Sequence, residues 1–384
     1  MKTRLWRRSY TSLIVANSLV TVSYTMFTSL LPLYVHTLGY NNKTAGDMAA
    51  GLGVTLMLSK LLAGAFIDRS DKRRFLICST ILVLFNSVGY CFASDIKILY
   101  LLRLLNGLSN ALFIVASSTL IAFVAEDAQL EDAISYYRIT SSLTVAIGPA
   151  AGNYLYLHYG FSALFQSMVL LVAVSLVAVL FVCKQDIPET AVKTRASFKE
   201  AFKPAALVEF SALPASLAVL FLFISTSSTS NYLVAYGNAQ GITKMSLFFF
   251  TNCIFMLLAR ALHKLLVRRM NEKLLLTLGM GFIAAALVSI SFAKQLWAIL
   301  LIGAIFGLGD GITTPLLNTM ALRKAPASRK GTASATFSLA NGIGTSIGAD
   351  IWGSVSENFG YPAVFQGAAF GAVLEIPIMW FVLQ

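Results

Sequence analysis

Twelve apolar runs follow one another along this chain, each close to the ~20 residues that carry a helix across a bilayer. They centre on residues 11–35, 45–67, 75–93, 97–123, 133–157, 161–183, 207–236, 244–267, 274–292, 296–320, 331–355 and 361–383. With 57% hydrophobic and only 12% charged residues and a mean hydropathy of +0.75, the chain is too apolar for a soluble protein. The runs predict an all-α polytopic membrane protein with twelve transmembrane helices. The first run follows a basic segment, but it is long and holds Asn17, Ser23 and Tyr24. It reads as a span, not as a cleaved signal.

A formal charge of +12 raises the question of a nucleic-acid partner, and the placement of the cations argues against one. With the N-terminus inside, the basic clusters all fall on one side: Lys2 to Arg8, Arg69 to Arg74, Lys184 to Lys203, Lys264 to Lys273 and Arg323 to Lys330. The opposite loops hold only Lys43, Lys97, Lys244 and Lys294. This positive-inside bias puts both termini in the cytoplasm of a cell (inner) membrane. The acidic inner loop around Glu126, Asp127, Glu131 and Asp132 counts little in that rule. Cys78, Cys91, Cys183 and Cys253 lack paired spacing and read as small apolar residues or chance thiols.

Residues 184–206 are the one break in composition, charged and bounded by Pro188 and Pro204. They read as a cytoplasmic linker between six-span halves at 1–183 and 207–384. The halves align at an offset of 200: Gly160, Ala163, Phe165 and Gln166 recur as Gly360, Ala363, Phe365 and Gln366. Ile147-Gly148 recurs as Ile347-Gly348, Gly107 as Gly307, and Lys60 stands opposite Arg260. An internal repeat in a polytopic protein points to a transporter whose site lies where the halves meet.

Between the second and third runs lies Gly64-Ala65-Phe66-Ile67-Asp68-Arg69-Ser70-Asp71-Lys72-Arg73-Arg74. Such a charged turn cannot sit in hydrocarbon, so it marks a membrane surface, and Gly64 lets another helix approach closely. The pattern G-x-x-x-D-R followed by basic residues resembles the loop motif between the second and third helices of the major facilitator superfamily. This copy has Phe66 where Leu is common and Asp71 where Gly is common. Arg103 to Gly107, R-x-x-x-G, resembles the superfamily's fourth-helix motif, associated with proton coupling. Gly148-Pro149-Ala150-Ala151-Gly152 resembles the fifth-helix motif of proton-coupled antiporters that export drugs and metabolites; Thr144 and Asn153 replace further glycines of the longer motif. Pro188-Glu189-Thr190 resembles a short sequence common after the sixth helix. The resemblance implies two pseudo-symmetric six-helix bundles, a central cavity and alternating access. It further implies a gating network of Gly64, Asp68, Arg69, Lys72 and Arg73, and a helix-packing role for Gly148, Pro149 and Gly152.

Polar residues inside the runs supply the candidate site. Asn17, Thr21 and Thr25 share one helix face at i, i+4, i+8; either the hydroxyls bond their own helix or the stripe faces a cavity. Arg103 stands about 9 Å of helix rise inside its span, where a charge costs roughly 2.5–3.5 kcal/mol on insertion scales. It either snorkels to the surface or serves function. Arg138 poses the same choice. Ser225 to Tyr232 form a polar run that includes Ser227 and Asn231. Asp310 lies mid-span at the position matching Asn110 and is followed by Asn318; Asp350 follows Asn341, and Glu375 precedes Pro377 by two residues. An intramembrane carboxylate is a functional-site hypothesis, the plain alternative being a protonated acid bonded to a neighbouring helix. The expected proton-coupling set is Arg103, Asp310, Asp350 and Glu375. The expected cavity set is Asn17, Thr21, Thr25, Asn106, Asn110, Arg138, Ser227, Asn231, Asn318 and Asn341.

Together these features predict a secondary active transporter that exports a small molecule, a drug or a metabolite, against protons. It is expected as a monomer, with the lipid bilayer, protons and substrate as its partners, no nucleic acid, and the proton gradient in place of any cofactor or metal. The first run holds no acid, which weakens a cationic-drug reading. Lys60, Arg103, Arg138 and Arg260 suit an anionic or zwitterionic metabolite. Proton-coupled uptake of a small polar or anionic metabolite is the nearest rival. An enzyme is disfavoured: His36, His158 and His263 lie far apart near span ends, and no H-E-x-x-H, C-x-x-C, G-x-S-x-G or nucleotide loop occurs. A non-transporting receptor leaves the intramembrane charges unexplained.

Overall fold

The computed structural model describes residues 7–67, 71–124, 130–182, 208–242, 244–326 and 330–382. Among these residues there is no strand, and helices succeed one another with short turns. The first span is α1 (Arg8–Thr28) bent by 49° into α2 (Leu31–Thr37). Pro32 opens α2; its missing N–H cannot continue the α1 ladder, so the bend falls there. α3 (Asn42–Ile67), α4 (Lys72–Tyr90) and α5 (Ile96–Val124) follow, then α6 (Leu130–Leu180), which covers the fifth and sixth runs. After these come α7 (Leu213–Ala239), α8 (Phe248–Arg269), α9 (Glu272–Ile290), α10 (Leu296–Lys324), α11 (Lys330–Phe359) and α12 (Tyr361–Val382). By length and composition, six described helices can cross a membrane, or seven with the bent α1–α2 pair as one span. Of the other helices, α4 is diluted by the charges of Lys72, Arg73 and Arg74, and α11 by Gly, Ser and Thr.

The repeat is carried by the backbone. α4 and α9 have the same bounds 200 residues apart, as do α5 and α10, and α6 and α11 start 200 apart. α6 is interrupted at Gly160 (φ 76°), and α11 and α12 are separated at Gly360 (φ 80°). That left-handed conformation is open to glycine and costly for other residues, which explains why this pair survives in both halves. The helix starts match too: Asp71 accepts from the Arg73 and Arg74 amides (3.0 and 3.1 Å), and Asn271 from the Lys273 amide (3.0 Å). Asp71 sits at φ −61°, so the position needs no glycine and gains an N-cap instead.

The chain divides into two compact units, Met1–Phe27 with Val54–Phe198 and Thr28–Gly53 with Lys199–Gln384. The expected linker at 184–206 lies outside the described residues. In the first unit, Tyr10, Leu13, Leu76, Val83, Phe113, Leu120, Val172 and Val179 bury a core among α1, α4, α5 and α6. Gly148 and Gly152 of α6 press on α1: a Cβ at Gly152 would stand 2.8 Å from the Met26 carbonyl, and one at Gly148 would meet Thr25. The second unit repeats the device, Gly344 and Gly348 of α11 meeting Leu220, Ile224 and Ser227 of α7.

Lipid tails give helices little hydrophobic reason to associate, so close packing of small residues must do it. On α10, Gly303, Gly307 and Gly311 recur every four residues and face α8. A Cβ at Gly311 would lie 2.6 Å from the Met256 carbonyl and 2.8 Å from the Ala259 Cβ, whereas Gly281 opens on free space. Gly311→Ala should therefore cost about 1–3 kcal/mol by overpacking, while Gly281→Ala should be neutral or stabilise by about 0.5–1 kcal/mol. Thermal unfolding in detergent reads the contrast; equal midpoints for the two variants would contradict the seam.

Candidate functional site

In the first unit, the α1 stripe divides. Thr25 bonds the Thr21 carbonyl on its own helix (2.9 Å). Asn17 instead reaches across: its amide donates to Ser141 Oγ (2.9 Å) and its carbonyl accepts from the Tyr137 hydroxyl (3.1 Å). Tyr137 Oη lies 3.3 Å from Ser117 Oγ, so α1, α5 and α6 are tied by one polar knot. Removing one member leaves a buried partner unsatisfied, at about 1–3 kcal/mol. Asn17→Ala and Tyr137→Phe should each lower the thermal midpoint, and the double variant should lose clearly less than the sum. Strict additivity would show that the two side chains do not interact.

Arg103 does not snorkel: it is 1% exposed. Its guanidinium carbon lies 5.4 Å from the Phe27 ring centroid and the group hydrogen-bonds Tyr90. Phe27, Tyr90 and Phe165 pack edge to face or stacked at 4.8–6.1 Å, forming an aromatic cage. Cation–π attraction takes the place of a carboxylate partner; Nε and Nη2 remain without hydrogen-bond partners. One turn on, Asn106 donates to Asn86 Oδ1 (2.7 Å), Asn86 to the Leu102 carbonyl (2.8 Å), and Asn110 to the Asn106 carbonyl (2.9 Å). Arg138 is exposed.

Of the expected gating turn, Asp68 and Arg69 lie outside the described residues, as does the packing around Gly64. Lys72 is buried with Nζ 5.1 Å from the Phe123 centroid, and Arg73 donates to the Leu180 carbonyl (3.0 Å).

In the second unit, Asp310 on α10 accepts from Thr314 one turn on (2.7 Å), and the Arg260 charge on α8 acts on the same carboxyl. The glycine seam explains that proximity: Gly311 adjoins Asp310, and Ala259, which it touches, adjoins Arg260. Arg260 Nε is buried without a partner. Glu375 is 3% exposed and accepts from Ser225 of α7 (3.3 Å), leaving Oε2 unpartnered. In the polar run of α7, Ser227, Ser228, Thr229 and Asn231 all bond carbonyls of their own helix. Asn318 Oδ1 is buried without a partner, and Asn341 is half-buried. Asp350 lies within hydrogen-bond distance of Asp47, a residue of α3 absent from the expected set. Tyr137, Ser141 and Asp47 are thus additions, and Arg260, expected among the cations suited to an anionic substrate, stands beside a carboxyl instead. Asp47 carried a signal, a charge inside a run; Tyr137 and Ser141 carried none beyond ordinary polarity.

Repeated helical halves, glycine seams between helices and ionisable groups buried within spans define a polytopic membrane protein of the transporter class. The chain belongs to the Major Facilitator Superfamily, whose pattern it matches over residues 13–349 and again over 294–384. It is 23% identical over 358 residues to the uncharacterized MFS-type transporter MJ1560 of Methanocaldococcus jannaschii, covering 91% of this chain and 90% of that one. It is 25% identical over 383 residues to the multidrug resistance protein MdtG of Klebsiella pneumoniae, covering 96% and 92%. Solved structures share the fold. The nucleoside transporter NupG superposes with a TM-score of 0.79 at 13% identity over 98% of this chain and 99% of that one. The peptide transporter POT in complex with sulfate gives 0.82 at 14% identity over 98% and 94%. The chain is a membrane transporter and not an enzyme.

Proposed function

We propose that the protein exports a small molecule across the cell (inner) membrane in exchange for protons, by alternating access, with both termini in the cytoplasm. It works as a monomer of two six-helix halves, 1–183 and 207–384, and needs no cofactor. The observation that carries this reading is the Asp310 carboxyl, set inside a span beside Arg260. Such a carboxyl has two states: ionised and balanced by the guanidinium, or protonated with the guanidinium released. An entering proton driven by 100 mV supplies about 2.3 kcal/mol, enough to bias such a two-state element. Arg103, Asp350 and Glu375 complete the proton-coupling set. The multidrug resistance for which the MdtG relatives are named supports export over the symport alternative.

Substrate contact falls to polar groups not already consumed within their own unit. Asn17, Thr25, Asn110, Ser227 and Asn231 are consumed, as is the Asn106 amide, which leaves Arg138, Thr21, Asn318, Asn341 and the Asn106 Oδ1 atom. The exposed Arg138 cation favours an anionic or zwitterionic substrate. A thermal-shift screen of cationic, zwitterionic and anionic compounds on detergent-solubilised protein identifies a substrate. Accumulation is then measured in inside-out vesicles with an acid interior. Export against protons gives accumulation there that collapses with a protonophore; accumulation in right-side-out vesicles with an acid exterior instead would establish symport.

A further inference from the structure

The first residues of α3 belong to the second unit, where they lie against α7, α11 and α12. The seam is close to backbone contact. A Cβ at Gly353 would stand 2.7 Å from Tyr232 Oη, 2.9 Å from the Asn42 carbonyl and 3.1 Å from the Gly46 Cα, and one at Gly46 would stand 2.8 Å from the Ala349 carbonyl. The Tyr232 hydroxyl donates to that same Ala349 carbonyl (2.8 Å). Asn42 is the hub at the end of the seam. Its backbone N–H, an orphan donor at the α3 N-terminus, donates to Glu357 Oε2 (3.0 Å). Its side-chain oxygen accepts from the Tyr361 hydroxyl (3.2 Å) and lies 2.9 Å from His36 Nε2.

One turn into the seam the two helices are so close that a Cβ at Gly46 would stand 3.3 Å from the Asp350 Cα, and the side chains of the next residue, Asp47, and of Asp350 meet. Two ionised carboxylates so close repel, and neither can donate. The Asp350 Oδ1 atom is buried without a donor. Among the described residues one cation faces the pair, Lys43 Nζ at 3.5 Å from Asp47, and it balances one negative charge. The other titratable groups around the pair are Tyr232, already committed to Ala349, and Glu357, Tyr361 and His36, committed to Asn42.

We propose that Asp47 and Asp350 share a single proton, and that this proton locks the start of α3 onto α11. With the proton in place, one carboxyl donates to the other, the orphaned oxygen is satisfied and Lys43 leaves no net charge. When the proton returns to water, a second negative charge appears that Lys43 does not balance, the two carboxylates repel, and α3 parts from α11. The lock stands on this geometry alone. Its sense in a transport cycle rests on the proposed export: this end faces outward, so proton capture from outside closes the outer side.

The test is a distance measurement that needs neither substrate nor flux, so its failure and the failure of proton-driven export are read separately. The native cysteines are replaced by serine, and spin labels are attached through Tyr40→Cys and Phe359→Cys, both exposed positions. The label distance is followed from about pH 5 to about pH 9, a range that brackets shifted carboxyl titrations. The parent should show one short distance at low pH and a growing long-distance population as pH rises. Asp350→Asn, whose amide donates without titrating, should hold the short distance throughout, and Glu357→Gln and His36→Gln should keep the parent's pH response. A parent distance indifferent to pH overturns the proposal. So does a pH response that survives in Asp350→Asn or vanishes in His36→Gln.

Discussion

Replacing Asp310 with Asn should abolish the response of substrate accumulation to a pH gradient while leaving substrate-for-substrate exchange intact. The amide keeps the size of the carboxyl and can still pair with Thr314, so the α10 helix and its glycine seam are preserved. What it loses is the ability to take up and release a proton, and with it the alternation of Arg260 between paired and unpaired states. In one-for-one exchange, one pH unit is worth a factor of about ten in the equilibrium accumulation ratio. The parent should approach that ratio in proteoliposomes and the variant should stay near unity. Exchange measures the rocking of the loaded protein alone and should survive. Loss of both activities would mean that Asp310 holds substrate or structure and not the coupling proton. A variant that accumulates like the parent would remove Asp310 from the mechanism.

Arg103→Met should separate stability from activity in the opposite sense to an ordinary core substitution. The guanidinium is buried beside aromatic rings with two of its nitrogens unpartnered, and an unpaired buried cation carries a desolvation cost of several kcal/mol. Methionine fills much of the same volume and packs well on rings. The thermal midpoint should hold or rise, while gradient-driven accumulation falls to the level of Asp310→Asn. Arg103→Lys keeps the charge but loses the flat fork that lies on Phe27, and should fall between parent and Met variant in activity. A steep loss of stability in Arg103→Met would identify the cage as a structural staple and leave the fourth-helix arginine without a coupling role.

The architecture was legible because the repeat is free of gaps. Four residues around Gly160 and Gly360 were enough to set the offset, and the same offset then places the bounds of α4 and α9 and of α5 and α10. Hydrophobic length alone locates spans but not their rotation. These helices are apolar on most faces, so no stripe announces which side chains meet. That is why the bond from Asn17 to Ser141 across 124 residues, and the approach of Asp47 to Asp350, could not be read from spacing. The departure of Asp71 from the family's glycine became intelligible only with its backbone angle, which shows a cap where the motif usually turns. The polar run of α7 is the reverse case. Its composition suggested a wet wall, yet Ser227, Ser228, Thr229 and Asn231 satisfy themselves on their own helix, as short hydroxyl and amide side chains can.

The most direct measurement is substrate flux in proteoliposomes of purified protein under imposed pH gradients of both senses, with the membrane potential clamped. Proton exchange at an intramembrane carboxyl predicts that substrate accumulates on the acid side, reverses when the gradient is reversed, and drives proton movement the other way when substrate alone is imbalanced. Flux that runs only down the substrate's own gradient, indifferent to both the sign and the presence of the pH difference, would contradict it.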